Sequence, residues 1–232
     1  MPKLKQFPNE SFTMCEGQHE YKFFNDIANP SYIKNRVDRI FNKEPETIQW
    51  IQSIPQDAVF FDIGANIGIY TIYAAVNRNC KTFSFEPHSA NYKTLIENIN
   101  LNKLKNSKAY PLAIGKTLEL SSMFVKNLYA GVADNIVDGI GEIYHGVVII
   151  SIDDLINSQK LPQPDYIKID VDGYEDRVFE GCKETLKKCK GLLIEIDQKH
   201  EKIIKNIENL GFEIKSEHKR NEAEKNYIFK AV

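Results

Sequence analysis

The sequence predicts an α/β fold organised on a mostly parallel sheet, and three observations carry that expectation. Residues 58–63 form a short apolar run that breaks at Gly64 and Gly68 and leads into an apolar helical stretch over 67–76, the strand, turn and helix of a βαβ unit. From residue 58 onward strand-like and helix-like segments alternate, the pattern of parallel strands joined by helical crossovers. The chain closes with two strand-like segments, 212–217 and 227–230, whose short charged connection favours antiparallel pairing.

Taken in order, residues 1–20 are polar and hold Pro2, Pro8 and Gly17, so a loop-like start is expected. Ser31 can cap a helix with Ile33, Val37, Ile40 and Phe41 on one face, and Pro45 opens a second helix carrying Ile48 and Ile51. Residues 1–44 therefore read as an N-terminal extension with a helical lead-in packed on a main domain of residues 45–232. A strand over 81–86 alternates Phe83 and Phe85 with polar side chains. Ser89 offers a cap for the next helix, which has Tyr92, Leu95, Ile96 and Ile99 on one face. Strands over 109–114 and 120–125 follow. Residues 127–146, with Gly131, Gly139, Gly141 and Gly146, read as a long loop, either a lid over a pocket or an irregular surface excursion. Next come a strand over 147–150, a capped turn at Ser151, a strand over 165–170, and a helix over 174–188 whose first-turn acids and last-turn lysines suit the helix dipole. A strand over 191–196 precedes a helix carrying Ile203, Ile204, Ile207 and Leu210 that stops at Gly211.

With 42% hydrophobic and 27% charged residues in 232, the chain has the make-up of one globular domain with a substantial core. A formal net charge of -2 gives no general attraction to nucleic acid or an anionic membrane. No apolar run reaches the length of a membrane span, and residues 1–6 lack the apolar core of a secretory signal, so a cytoplasmic protein is expected. Cys15, Cys80, Cys182 and Cys189 show no metal-ligand spacing and read as reduced thiols.

The turn at Gly64-Ala65-Asn66-Ile67-Gly68 departs from the GxGxxG fingerprint that brings backbone against a pyrophosphate. Asp62 precedes it and puts negative charge where a phosphate is repelled and a cation tolerated. S-adenosylmethionine, with a sulfonium, an ammonium and no phosphate, fits that electrostatics. Glu86 ends the second strand, where an acid can accept hydrogen bonds from both ribose hydroxyls; a strand-end acid that only caps the next helix is the bland alternative. In the segment Lys168-Ile169-Asp170-Val171-Asp172-Gly173-Tyr174-Glu175, Lys168 and Asp170 share one strand face. A lysine inside a central strand needs a partner, and Asp170 or Glu195 is the expected one. Asp62, Glu86, Asp170 and Asp172 would converge on one sheet edge.

The run Asp62-Ile63-Gly64-Ala65-Asn66-Ile67-Gly68-Ile69-Tyr70-Thr71, then Phe85-Glu86-Pro87, Asn98-Ile99-Asn100-Leu101-Asn102, Ala113-Ile114-Gly115, Ser151-Ile152-Asp153-Asp154-Leu155 and Ile167 to Glu175, in that order, resembles the FkbM family of S-adenosylmethionine-dependent methyltransferases. The likeness covers about residues 45–200. It implies a class I methyltransferase (Rossmann-like) fold: a seven-stranded, mostly parallel sheet with an antiparallel last strand and helices on both faces. It also implies methyl transfer, typically to a hydroxyl of a small molecule or saccharide. By that resemblance Asp62, Gly64, Ala65, Asn66 and Gly68 line the methionine end of the cofactor, with Tyr70 and Thr71 following. Glu86 and Pro87 would hold the ribose, Ala113 and Ile114 would lie by the adenine, and residues 168–175 would border the acceptor. Asp172 and Tyr174 depart from the glutamate and small residue expected there, which makes acceptor identity less transferable.

A hydroxyl acceptor benefits from a general base. Asp170 is the first candidate, followed by Asp172 and then His145, while Lys168 and Glu175 complete the catalytic set. Glu175 can instead stabilise a helix start, and His145, like His88, can be a solvated loop histidine. No metal is assigned, although Asp170 and Asp172 offer the oxygen ligands a hard cation takes. Two other readings compete: a nicotinamide-dependent oxidoreductase, against which the missing GxGxxG argues, and a non-catalytic module that binds S-adenosylmethionine.

Overall fold

The computed structural model describes residues 11–25, 30–131, 136–137, 143–158, 161–200 and 202–232. A hairpin of β1 (Ser11–Glu16) and β2 (His19–Phe24) precedes helices α1 (Pro30–Asp38), α2 (Ile40–Lys43) and α3 (Pro45–Ser53). Then come β3 (Val59–Ile63), α4 (Ile69–Arg78), β4 (Lys81–Phe85), α5 (Ser89–Leu101) and β5 (Ser107–Tyr110). Short strands β6 (Ala113–Ile114), β7 (Glu119–Phe124), β8 (Ile136–Val137) and β9 (Tyr144–Ile150) lead to α6 (Ile152–Asn157) and β10 (Tyr166–Ile169). The chain ends with α7 (Glu175–Glu180), α8 (Lys183–Leu186), β11 (Gly191–Asp197), α9 (Lys202–Glu208), β12 (Phe212–Lys219) and β13 (Glu224–Ala231).

The main sheet has seven strands in the order β12-β13-β11-β10-β3-β4-β5. β11, β10, β3, β4 and β5 are mutually parallel, and β13 runs antiparallel to both β11 and β12. This is the expected class I methyltransferase architecture, with the last strand reversed between its neighbours. Helices cover both faces because the strands are apolar on both. Phe61, Ile63, Ile167 and Ile169 face a core shared with α7, α8 and α9. Phe60 and Leu193 face the opposite core, shared with α3 and α4, as the period-two geometry of a strand requires. No helix among the described residues is long and apolar enough to cross a membrane.

Several sequence expectations are corrected. The start is not wholly loop-like: β1 and β2 pair from Ser11↔Phe24 to Glu16↔His19, and Tyr21 and Phe23 are fully buried. Each strand is only six residues long, and polar side chains separate Phe12 from Met14 and Tyr21 from Phe23, so no continuous apolar run marks it. The hairpin and α1 bury Tyr21, Phe23, Ile33 and Val37 in the same core as α3, α4 and Phe60. Asn98 and Asn102, at the end of α5, receive the hairpin: their side-chain oxygens accept the Phe24 and Lys22 N–H groups at 2.6 and 2.9 Å. His88, not Ser89, caps α5, its Nδ1 accepting the Asn91 N–H. The single strand expected over 109–114 is split between β5 in the main sheet and β6 in a second sheet ordered β6-β9-β7-β8. That sheet also takes in residues 136–137 and 144–146 of the expected 127–146 loop, of which residues 132–135 and 138–142 lie outside the described residues. The helix expected over 174–188 is two short helices, because the first closes at Gly181, which receives the chain's next turn at Cys182.

Candidate active site

The carboxyl ends of β3, β4 and β10 meet around a cavity of about 310 Å³, within the range that holds a nucleoside-sized ligand. Its floor is the turn after β3. Gly64 and Ala65 donate their N–H groups to the Phe85 carbonyl at 3.0 and 3.1 Å, and Asp170 N–H donates to Ile63 O at 3.0 Å, so three strand ends are stitched together under the cavity. Gly64 has φ +79°, and a Cβ built there would stand 1.8 Å from the Asp170 carbonyl oxygen; only glycine allows that approach. Asn66 and Asp172, both in the cavity wall, adopt the left-handed region at φ +52° and +50°, which Asn and Asp tolerate best among residues with a Cβ.

Glu86 is buried at the end of β4, yet it lines the cavity. Its two oxygens accept the Asn66 N–H at 2.7 Å and the His88 N–H at 2.8 Å. Burial raises its carboxyl to about 7, with those N–H groups and the Asn91 side chain pulling the other way. Pro87, Ala113, Ile114, Leu112 and Phe85 supply an apolar side to the same wall.

At the other side stands Asp170, whose Oδ2 accepts from Lys168 Nζ at 2.8 Å. Lys168 is fully buried within the sheet and packs its ammonium over the Tyr70 ring at 4.9 Å. Burial opposes its charge, but Asp170 and Asp62 outweigh that and hold its pKa above the ordinary lysine value. Burial pushes Asp170 up, and the Lys168 charge more than reverses it, so the carboxyl sits below its usual range. The partner of Lys168 is thus Asp170. Glu195 instead accepts from Arg220 Nε at 3.1 Å, and the same guanidinium reaches Glu44 Oε1 at 2.8 Å and the Lys43 carbonyl at 2.6 Å.

Of the sequence-derived candidates, Gly64, Asn66, Glu86, Pro87, Ala113, Ile114, Asp170 and Asp172 line this cavity. Ala65, Tyr70 and Lys168 line a smaller one of about 60 Å³ that shares Gly64, Asn66 and Asp170 with it. Five others do not lie in either wall. Asp62 is sealed beneath the turn, where Oδ2 accepts from Thr71 Oγ1 at 2.6 Å and burial raises its pKa; Thr71 is buried with it and also bonds Ser84 at 2.7 Å. The Gly68 position is packed against Leu95. Glu175 is buried and its Oε1 accepts the Gly173 N–H at 3.0 Å, so it props the Asp172–Tyr174 turn from behind. His145 stacks edge-on against His88 at 5.9 Å. His88 is no solvated loop residue: it is fully buried, and burial lowers its pKa.

Sequence reading missed Arg36, Lys43, Asn91, Met123, Arg220 and Glu224, which also line the cavity. Most are isolated polar side chains on helices or turns distant in sequence from the glycine turn, and nothing in local spacing marks them. Among the described residues no three His, Cys, Asp or Glu side chains are grouped as metal ligands would be.

A model of the methyltransferase FkbM domain matches residues 62–214. A curated relative, the hexuronic acid methyltransferase AglP of Haloferax volcanii, is 28% identical over 147 residues, covering 63% of this chain and 59% of the relative. The chain therefore spans about three-fifths of that relative's length. Among solved structures, methyltransferase FkbM from Methylobacillus flagellatus superposes with a TM-score of 0.55 at 14% identity, over 88% of this chain and 55% of the other. The tRNA m1G37 methyltransferase of M. jannaschii gives 0.50 at 12% identity, over 98% and 56%. Both likenesses concern the fold.

Proposed function

The chain belongs to the FkbM methyltransferase family, and from that membership we propose that it is an S-adenosylmethionine-dependent O-methyltransferase whose acceptor is a saccharide. The observation that carries the reading is Glu86, a buried carboxylate at the end of β4 that faces the cavity while backbone N–H groups fix both its oxygens.

The residues present fit S-adenosylmethionine. Among the described residues of the larger cavity wall five are acidic, Glu86, Asp170, Asp172, Glu195 and Glu224, and three are basic, Arg36, Lys43 and Arg220. The acids beside the glycine turn, Asp170 and Asp172, suit the ammonium and sulfonium of this ligand, and the missing GxGxxG leaves a dinucleotide's pyrophosphate without its close backbone approach. Glu86 and Pro87 would hold the ribose, Ala113 and Ile114 the adenine, and Gly64, Asn66 and Asp170 the methionine end. When bound, this group supplies an electrophilic methyl on a sulfonium.

The protein's contribution is then orientation. Aligning a nucleophile with a methyl group inside the cavity removes much of the entropic barrier to displacement. Asp170 is kept ionised by Lys168, so its Oδ1 accepts a hydrogen bond from an acceptor hydroxyl and aims the oxygen lone pair. An aspartate held below its usual pKa is too weak a base to ionise the hydroxyl beforehand, so Asp170 positions it and takes its proton only as the oxygen is methylated and turns strongly acidic, passing the proton on to water. Asp172, held in its turn by Glu175, borders the same space. Lys168 acts through Asp170, and Asp62, Thr71 and Glu175 act by holding the turns. His145 is placed against His88, away from this group.

The acceptor class rests on the relative named for hexuronic acid. Calorimetric titration with S-adenosylhomocysteine, followed by incubation with isotopically labelled S-adenosylmethionine and saccharide pools, tests the reading. Submicromolar to micromolar binding and label on a saccharide oxygen are expected. Binding without label in any product would leave a non-catalytic module, and tight NADH binding without S-adenosylhomocysteine binding would sink the proposal.

A further inference from the structure

We infer that Arg36, assisted by Lys43, is a specificity-determining residue that reads a carboxylate on the acceptor, so that the preferred substrates are acidic saccharides. The inference rests on the methyl-transfer reading for the occupant of the other half of the cavity.

Arg36, on α1, and Lys43, at the end of α2, both lie outside the residues matched by the family model and both line the two cavities where these meet at Asp170. The N-terminal segment brings both of them over the cavity beside Asp170. Three carboxylates at this end are paired with a cation. Asp170 is held by Lys168 at 2.8 Å, and Glu44 and Glu195 by Arg220 at 2.8 and 3.1 Å. Glu224 accepts from Asn221. Arg220 is spent in the process, since its Nε, Nη1 and Nη2 each donate to one of these neighbours or to the Lys43 carbonyl.

Arg36 differs. It is half-buried, and among the described residues it makes one hydrogen bond, from Nε to the Gly131 carbonyl, and no ion pair. A guanidinium cannot shed its charge, and its planar fork matches a carboxylate with two parallel bonds. The bond from Nε fixes the fork rather than using it. Gly131 is itself pinned, its N–H donating to Asn91 Oδ1 at 2.8 Å, and Asn91 lines the cavity beside Glu86. The anchor of Arg36 is thus tied to the wall assigned to the cofactor, which sets the distance between a bound carboxylate and the methyl donor. Lys43, 3.2 Å from Glu44 Oε1, adds a second positive charge on the same side. Arg36 and Lys43 stand in the same walls as Asp170, and after Lys168 their charges help hold its carboxyl below the usual range.

The test uses the full chain loaded with S-adenosylhomocysteine and two neutral-aglycone probes, methyl glucuronide and methyl glucoside, titrated by calorimetry. The wild type is expected to bind the glucuronide about tenfold or more tighter than the glucoside, the gain of one charged bidentate contact, with that preference shrinking in salt. Arg36→Gln should erase the preference, and Arg36→Lys, which keeps charge but loses the fork, should retain part of it. Equal affinities in the wild type, or an undiminished preference in Arg36→Gln, overturn the inference. If Arg36→Gln unfolds, Lys43→Gln and the salt dependence of the wild-type preference decide it. Failure of the wild type to bind S-adenosylhomocysteine would count against the methyl-transfer reading alone, because the two probes titrated without it still report whether a carboxylate is preferred.

Discussion

Lys168 Nζ lies 2.8 Å from Asp170 Oδ2, with the lysine side chain 2% exposed inside the sheet and the aspartate 29% exposed at the cavity. One ion pair therefore joins the centre of the core to the wall of the site, and its two ends carry different consequences.

Removing the aspartate charge strands the lysine. Asp170→Asn is expected to destabilise the fold by about 3 kcal/mol, the cost of leaving one buried partner unpaired, moderated by Asp62, which lies beside Lys168 on the neighbouring strand. The pH dependence has a definite sign. Asp170 titrates lower in the folded than in the unfolded chain, so its contribution is present above the unfolded pKa and lost as pH falls through the folded one. Urea titrations should show the wild type losing its advantage over Asp170→Asn as the solution is acidified below pH 4. In labelled-methyl assays the variant should lose turnover more than S-adenosylhomocysteine affinity. An equal loss of both would make Asp170 a cofactor ligand only.

Gly64 offers a sharper steric test. A methyl group there meets the Asp170 carbonyl oxygen at 1.8 Å, and the φ of +79° disfavours any side chain. Gly64→Ala must separate the ends of β3 and β10, with about 1–2 kcal/mol for the left-handed backbone and about 1–3 kcal/mol for the forced shift. Denaturant midpoints should fall accordingly, and the cavity should lose S-adenosylhomocysteine. A stable Gly64→Ala protein with unaltered binding would show that this turn does not form the floor of the site.

Glu86 links binding to pH. Its carboxyl is raised to about 7 by burial, and a raised acid keeps its proton in the folded chain over a range where the unfolded chain has released it. Between the ordinary glutamate pKa and about 7 the folded state binds more protons, so stability falls as pH rises through that window. Binding runs the other way, because the ionised carboxylate is the better acceptor for ribose hydroxyls. S-adenosylhomocysteine affinity should increase as pH rises through neutrality and then level off, and Glu86→Gln should be weaker and flat over the same range. Calorimetry at several pH values checks both; a wild-type profile as flat as the variant's would remove Glu86 from the ribose contact.

The parts of this molecule that repeat with a period were legible in the sequence. Phe60 and Phe61 point into opposite cores, as an apolar strand covered on both faces must, and the glycine turn, Glu86 and Asp170 fall together because each ends a parallel strand. What escaped depends on contacts between distant segments. From spacing alone Glu195 competes with Asp170 as the partner of Lys168, yet it belongs to Arg220, which the β12–β13 connection carries back over the sheet edge. Asp62 was read as part of the wall from its place before the turn, but a side chain's depth depends on the residues above it, and Thr71 closes over it. Arg36 sits on a helix that sequence reading made a lead-in, and only the fold puts it above Asp170.

Asn98 explains why one motif that carries no chemistry belongs beside those that do. Its amide, fully buried, donates through Nδ2 to the Ile67 carbonyl at 2.7 Å and accepts through Oδ1 from the Phe24 N–H at 2.6 Å. One side chain thus secures the glycine turn on one side and the N-terminal hairpin on the other. Asn98→Ala leaves a buried donor and a buried acceptor without partners, at about 1–3 kcal/mol each, so a loss of about 2–6 kcal/mol is expected in denaturant unfolding. Asn98→Asp separates the two roles. It keeps the acceptor for Phe24 but sets a carboxylate oxygen against the Ile67 carbonyl, so the turn should suffer while the hairpin holds. Hydrogen exchange should then show faster exchange at Ala65 to Gly68 with the Phe24 amide still protected, together with weakened S-adenosylhomocysteine binding. Equal exposure of both segments in Asn98→Asp would mean that the hairpin and the turn open as one unit and that Asn98 does not hold them independently.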